Sequence, residues 1–189
     1  CSTMCPSSHF ARVGPPASAG TRGGRCPRRS APVSPTPTLE PVRIDLHTHS
    51  VASDGTQTPA QVVASAAWVG LDVVALTDHD TAAGWDEAAA AGREHGVAVV
   101  RGVEMSCRAG GRSIHLLAYL PDRQDVGLRA EADKIRDARR SRARSIVELV
   151  AEDYELTWED VREQTVPGTT VGRPHVADAL VARGHVPDR

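Results

Sequence analysis

The feature that most constrains the fold is a recurring order of short apolar runs and helix-like stretches, in which each run hands over to polar residues. Residues 42–46, 72–76, 97–100 and 113–120 are apolar runs of strand length. Between the first two, Thr58-Pro59 reads as an N-cap with proline at the first helical position, and Gly70 closes the helix. Between the second and third, residues 81–95 are alanine-rich and helical, with Gly96 behind them. This β-α-β-α-β order predicts an α/β domain over residues 42–189, with a mainly parallel sheet and helices packed outside it. Gly110-Gly111 predicts a tight turn joining residues 103–108 to the fourth run in a local hairpin. Further helices are expected over residues 127–153, 158–164 and 174–183.

Aromatic residues make up 3% of the chain, so the core must be built from Ala, Val, Leu and Ile. Residues 1–41 depart from this pattern. They are rich in Pro, Ser and Thr, carry Arg12, Arg22, Arg25, Arg28 and Arg29 against the single acid Glu40, and are expected to be disordered. Cys1, Cys5, Cys26 and His9 lie in this tail at spacings that match no common zinc pattern. Cys107 stands alone in the folded part, so nothing suggests a disulfide framework and a cytoplasmic setting is expected. No stretch approaches 18 consecutive apolar residues, so no membrane helix is expected. A net charge of −2 does not mark the whole molecule as a polyanion binder. No protein partner is evident from the sequence.

The polar residues collect where the runs end. His47 and His49 follow the first run, Asp78 and His79 the second and Glu104 the third, while His115 lies in the fourth. In parallel α/β folds the loops after the strand C-termini converge on one face, where ligands bind. His47-x-His49 in extended chain presents two imidazoles on one side. Asp54-Gly55 follows in a turn that lets the carboxylate reach inward. Mixed imidazole and carboxylate donors suit Zn²⁺, Mn²⁺ or Fe²⁺ better than Mg²⁺ or Ca²⁺. Six donors exceed the three or four that one catalytic zinc takes, which points to at least two metals. Each feature alone has a plainer reading. Asp78-His79-Asp80 would serve to cap the helix beginning near Thr81, and His115 would serve as a core histidine. The metal reading rests on their conjunction.

Asp45-Leu46-His47-Thr48-His49-Ser50, Ser53-Asp54-Gly55, Leu76-Thr77-Asp78-His79-Asp80-Thr81, Gly102-Val103-Glu104 and Ile114-His115 together resemble the PHP family, the polymerase and histidinol phosphatase domain. The closest likeness is to its small stand-alone phosphoesterases, which act on 3′,5′-nucleoside bisphosphates or trim short RNA from the 5′ end. The resemblance implies the N-terminal part of a distorted seven-stranded β/α, TIM-like barrel. It implies two or three divalent metals, Mn²⁺ foremost, held by His47, His49, Asp54, His79, Glu104 and His115, with Glu104 bridging. It also implies a metal-bound hydroxide as nucleophile, with no covalent enzyme intermediate and a small phosphorylated substrate.

The phosphate contacts suggested by the same resemblance are Arg139, Arg142 and the helix start Gly172-Arg173-Pro174-His175. A helix start can hold phosphate through backbone N–H groups, and Arg173 adds bidentate reach. The run Arg136, Arg139, Arg140, Arg142 and Arg144 reads equally well as a solvated basic face. The family completes its site with a later His and a C-terminal Asp-x-His pair. The chain reaches Arg189 without them, and His185 has no such context, so an incomplete, truncated barrel is expected. Two alternatives stand beside the nucleotide reading. One is a histidinol-phosphate phosphatase. The other is a catalytically incomplete fragment that binds metal or nucleic acid.

Overall fold

A computed structural model describes residues 41–189. The disordered tail expected over residues 1–41, and its Cys1, Cys5, His9 and Cys26, lie outside the described residues, Pro41 apart.

The chain runs β1 (Ile44–Thr48), α1 (Pro59–Trp68), β2 (Val73–Leu76), α2 (Trp85–His95), β3 (Ala98–Ala109), β4 (Arg112–Tyr119), α3 (Val126–Val150), α4 (Trp158–Glu163) and α5 (Arg173–Ala182). Thr58 caps α1 as expected. Its hydroxyl accepts from the Gln61 amide and the Gln61 side chain accepts from the Thr58 amide, which satisfies two otherwise orphaned donors. The sheet order is β1-β2-β3-β4, with β1, β2 and β3 parallel and β4 antiparallel to β3.

Two elements differ from the sequence expectation. α2 begins at Trp85 rather than near Thr81. Asp80 has φ 53°, which turns the chain, and the Thr81 hydroxyl accepts from the Ala83 amide to hold a turn instead of a helix. The helix starts only where Trp85 is buried and its indole N–H donates to the Gly102 carbonyl at 2.8 Å. Gly84 permits this start, because a Cβ there would lie 2.8 Å from Pro59 and 2.9 Å from Leu76. β3 is also far longer than residues 97–100. Its first residues pair with β2, while residues 102–109 pair with β4, so Glu104 sits inside a strand and not in a loop.

The sheet curls. The Tyr119 hydroxyl on β4 donates to the Leu46 carbonyl on β1 at 2.9 Å, joining the first and last strands across the concave side. The main core lies between the sheet and α1, α2 and the first half of α3, and includes Val63, Val74, Leu76, Trp85, Val103 and Ala132. A second cluster of Val147, Leu156, Val161, Val176 and Ala179 joins the end of α3 to α4 and α5. Ala132, Arg139, Ala143 and Val147 form the buried stripe of α3, so this helix of 25 residues spans both cores. No helix among the described residues is long and apolar enough to cross a membrane.

Candidate metal centre

β1 delivers the first two imidazoles. Between Asp45 and Thr48 it carries one residue more than β2 opposite it, a bulge that re-aims the side chains at its end. The rings of His47 and His49 then lie 5.0 Å apart, centre to centre. The loop that follows is tied down from inside. The Asp78 carboxylate accepts from the Ser50 amide and hydroxyl, both at 2.7 Å, and from the Ser53 hydroxyl at 2.6 Å. Gly55 closes this loop against His49, where a Cβ would lie 2.3 Å from the His49 carbonyl oxygen. Asp54 is thereby aimed between His49 and His79, 3.5 Å from a nitrogen of each.

Beyond β2 the chain continues beside β3. His79 bridges to Glu104, with Glu104 donating its amide to the Asp78 carbonyl and Asp80 donating its amide to the Glu104 carbonyl. The Glu104 carboxylate is the hub. One oxygen lies 2.8 Å from His47 Nε2, 3.0 Å from His49 Nε2 and 3.7 Å from His79 Nδ1. The other lies 2.5 Å from His115 Nδ1, across the β3–β4 hairpin. His47, His49, Asp54, His79, Glu104 and His115 therefore meet at one place. Asp78 does not join them, because its oxygens are taken by the serines.

Beside the cluster opens a cavity of about 540 Å³, lined by Asp54, His79 and His115 on one side and by Arg139, Arg142, Arg173 and Pro174 on the other. Gly172 and His175 are placed differently from the expected phosphate contacts. His175 is buried, and its Nδ1 accepts the Gly172 amide at 3.0 Å. That amide is thus committed within the protein, and Pro174 has no N–H to offer. A model of the PHP domain matches residues 45–160, more than half of the chain. The chain belongs to the PHP domain family.

Two relatives and one solved structure place it among PHP proteins more closely. It is 35% identical over 143 residues to a 5′-3′ exoribonuclease of Haemophilus influenzae, covering 76% of this chain and 48% of that one. It is 37% identical over 152 residues to a 3′,5′-nucleoside bisphosphate phosphatase of Chromobacterium violaceum, covering 77% and 51%. A crystal structure from Bifidobacterium adolescentis, assigned as a metal-dependent phosphoesterase, superposes with TM-score 0.75 at 42% identity, covering 77% and 52%. The chain spans about half the length of these relatives.

The residues of the PHP centre fit divalent metals. Three overlapping triads, His47–His49–Glu104, His49–Asp54–His79 and His79–Glu104–His115, each bring donor atoms within 4.8 Å of one another. His79 Nδ1 is buried with no hydrogen-bond partner, a position that a metal ion would satisfy. Charge is arranged accordingly. Burial pushes the Asp54 carboxyl up, but the His79 hydrogen bond and the nearby His79 and His49 rings outweigh it and hold the group well below the usual range. Burial likewise pushes Glu104 up, and contacts with His47, His79 and His115 bring it below its ordinary value. Burial lowers His49 despite the pull of Asp54, which favours the neutral imidazole that metal ligation requires.

Sequence reasoning missed the supports of these PHP residues. Ser50, Ser53, Asp78, Asp80 and Ser106 hold the donors in place without being donors in the triads. Ser50, Ser53, Asp78 and Asp80 all lie inside the family motifs, which was the available signal. Ser106 lies outside them, and only the pairing of β3 reveals it.

Proposed function

We propose that this PHP protein hydrolyses phosphate esters with the help of divalent metals, and that its substrates are nucleoside 3′,5′-bisphosphates or the 5′ ends of short RNA. The observation that carries the reading is the Glu104 carboxylate, which contacts four imidazoles beside an arginine-lined cavity. The names of the exoribonuclease and bisphosphate phosphatase relatives support the substrate class. They do not favour histidinol phosphate.

Two or three ions are expected, Mn²⁺ foremost, with Zn²⁺ or Fe²⁺ as the other choices for this donor set. When bound, such ions supply Lewis acidity toward a phosphoryl oxygen and lower the pKa of water near them. The chain's own residues do the rest. Glu104 presents one oxygen to His47 and His49 and the other to His115, so a single carboxylate would serve two ion positions. Asp54 completes a third position with His49 and His79. Arg142 and Arg173 would hold the phosphate oxygens, with Arg139 behind them. His175 would act through the backbone of the same helix start, by holding the Gly172 amide.

The test is phosphate release from adenosine 3′,5′-bisphosphate, with Mn²⁺ and with chelator, and with histidinol phosphate as the comparison substrate. Release that needs metal and prefers the bisphosphate supports the proposal. Folded, metal-loaded protein that turns over neither compound overturns it.

A further inference from the structure

A second cavity lies on the other flank of α3. Its volume is about 550 Å³, and its charged lining is entirely cationic: Arg140, Arg144 and Arg162, with no acidic side chain among the lining residues. Trp158 forms part of its wall, and the Arg144 guanidinium stacks over the indole at 4.9 Å from the ring centre. Thr165 and Thr169 also line it, their hydroxyls donating to the Arg162 and Val51 carbonyls. Arg140 and Arg162 each contact a carboxylate three residues earlier on their own helices, Asp137 and Glu159. These are solvent-exposed helix pairs, which bind weakly and yield to a stronger anion.

α3 and the segment leading into α5 contribute residues to both cavities. Arg139 and Arg142 of α3 face the metal-side cavity, while Arg140 and Arg144 face this one. Residues 165–174 pass between them, with Thr169 and Val171 on this side and Arg173 and Pro174 on the other. A mononucleotide held at the metals would not need the second cavity. A longer polyanion would.

We infer that the Arg140–Arg144–Arg162–Trp158 groove binds single-stranded RNA, holding the nucleotides downstream of a 5′ end seated at the metal centre. This rests on the phosphoesterase reading of that centre for the direction of the strand, though not for the binding itself. The chemistry is that of sequence-tolerant single-strand sites, in which guanidinium groups follow the phosphates; a base reaches the Trp158 face only when Arg144 leaves the indole for a phosphate.

The experiment compares the unmodified chain with the R140Q/R144Q/R162Q variant. A 3′-fluorescein-labelled, 5′-phosphorylated ten-nucleotide oligouridylate is titrated in chelator and followed by anisotropy, and turnover of adenosine 3′,5′-bisphosphate is measured separately with Mn²⁺. Thermal melts verify that the variant is folded. The triple variant should bind RNA at least tenfold more weakly, and its slope of log affinity against log salt should be shallower by about 2. Its turnover of the bisphosphate should match that of the unmodified chain. A W68F background adds a second readout, since Trp85 is sealed in the core and quenching by RNA then reports Trp158. Equal RNA binding by the folded variant overturns the inference and assigns any binding to other basic residues. Absence of RNA binding by the unmodified chain overturns it too. Failure of bisphosphate turnover in both proteins strikes the phosphoesterase reading, and the RNA titration still decides the groove. If the triple substitution unfolds the chain, R140Q/R144Q and R162Q measured separately decide by the same criteria.

Discussion

Arg139 Nε donates to Asp80 Oδ2 at 2.8 Å, and both side chains are buried, Asp80 completely. The same carboxylate accepts the Ser106 amide at 2.8 Å and its hydroxyl at 2.9 Å, while Arg139 donates to the Ser106 hydroxyl at 2.6 Å. One closed network therefore ties α3 to the residue after His79 and to the strand two residues beyond Glu104. Removing one member leaves the other charge buried and unpaired. R139M and D80N should each lower unfolding stability by about 3–5 kcal/mol. Urea denaturation in chelator measures this, and a loss under 1 kcal/mol would show that the pair is relaxed or solvated in solution.

Glu104 is the shared donor of two of the three triads. E104Q keeps its size and removes the charge that the imidazoles surround. Loss of a supporting partner alone typically costs about 10–100-fold in metal affinity. E104Q should cost at least that much, and the purified variant should hold fewer metal equivalents by elemental analysis. H115A, which touches only one end of the carboxylate, should lose less. Unchanged metal content in E104Q would remove Glu104 from the donor set.

Acid should weaken the metal-free protein in two stages. His49 and His175 are both lowered from 6.5, chiefly by burial. The unfolded chain binds their protons first, so their contribution is complete above about pH 6.5 and is lost as pH falls through the lower folded values. Asp54 and Glu104 are also lowered, from 3.8 and 4.5. Their contribution is present above those values and disappears only in stronger acid. Denaturation midpoints in chelator between pH 8 and pH 3 should therefore fall from about pH 6.5 downward. H49N should flatten the first part of that decline. A midpoint that rises on acidification to pH 5 would contradict the assignment.

Gly55 tests the loop that carries Asp54. A methyl group there would meet the His49 carbonyl oxygen at 2.3 Å, and backbone cannot yield as a flexible side chain does. G55A should destabilise by roughly 1–3 kcal/mol, the usual range for overpacking. It should also weaken the ion position shared by His49, Asp54 and His79 more than the one at His115. Metal titration against denaturation separates the two effects. Wild-type stability in G55A would mean that the turn opens freely.

What could be read from the chain alone was local. The Thr58-Pro59 start of α1, the Gly110-Gly111 hairpin and the order of the first three strands follow from capping, turn chemistry and apolar runs, all of which act within a few residues. The six clustered donors were legible as well, because an α/β order carries strand ends to one face. The fates of Asp78 and Asp80 were not. Two residues apart in one motif, they are claimed by opposite sides of the centre, one by Ser50 and Ser53 and the other by Ser106 and Arg139. Arg139 itself read either as a phosphate contact or as one arginine in a solvated run, since its partner lies 59 positions away. Which arginine is buried, and that Asp80 is the carboxylate it takes, depends on the phase of α3 over the sheet. That phase is decided only when the two cores pack.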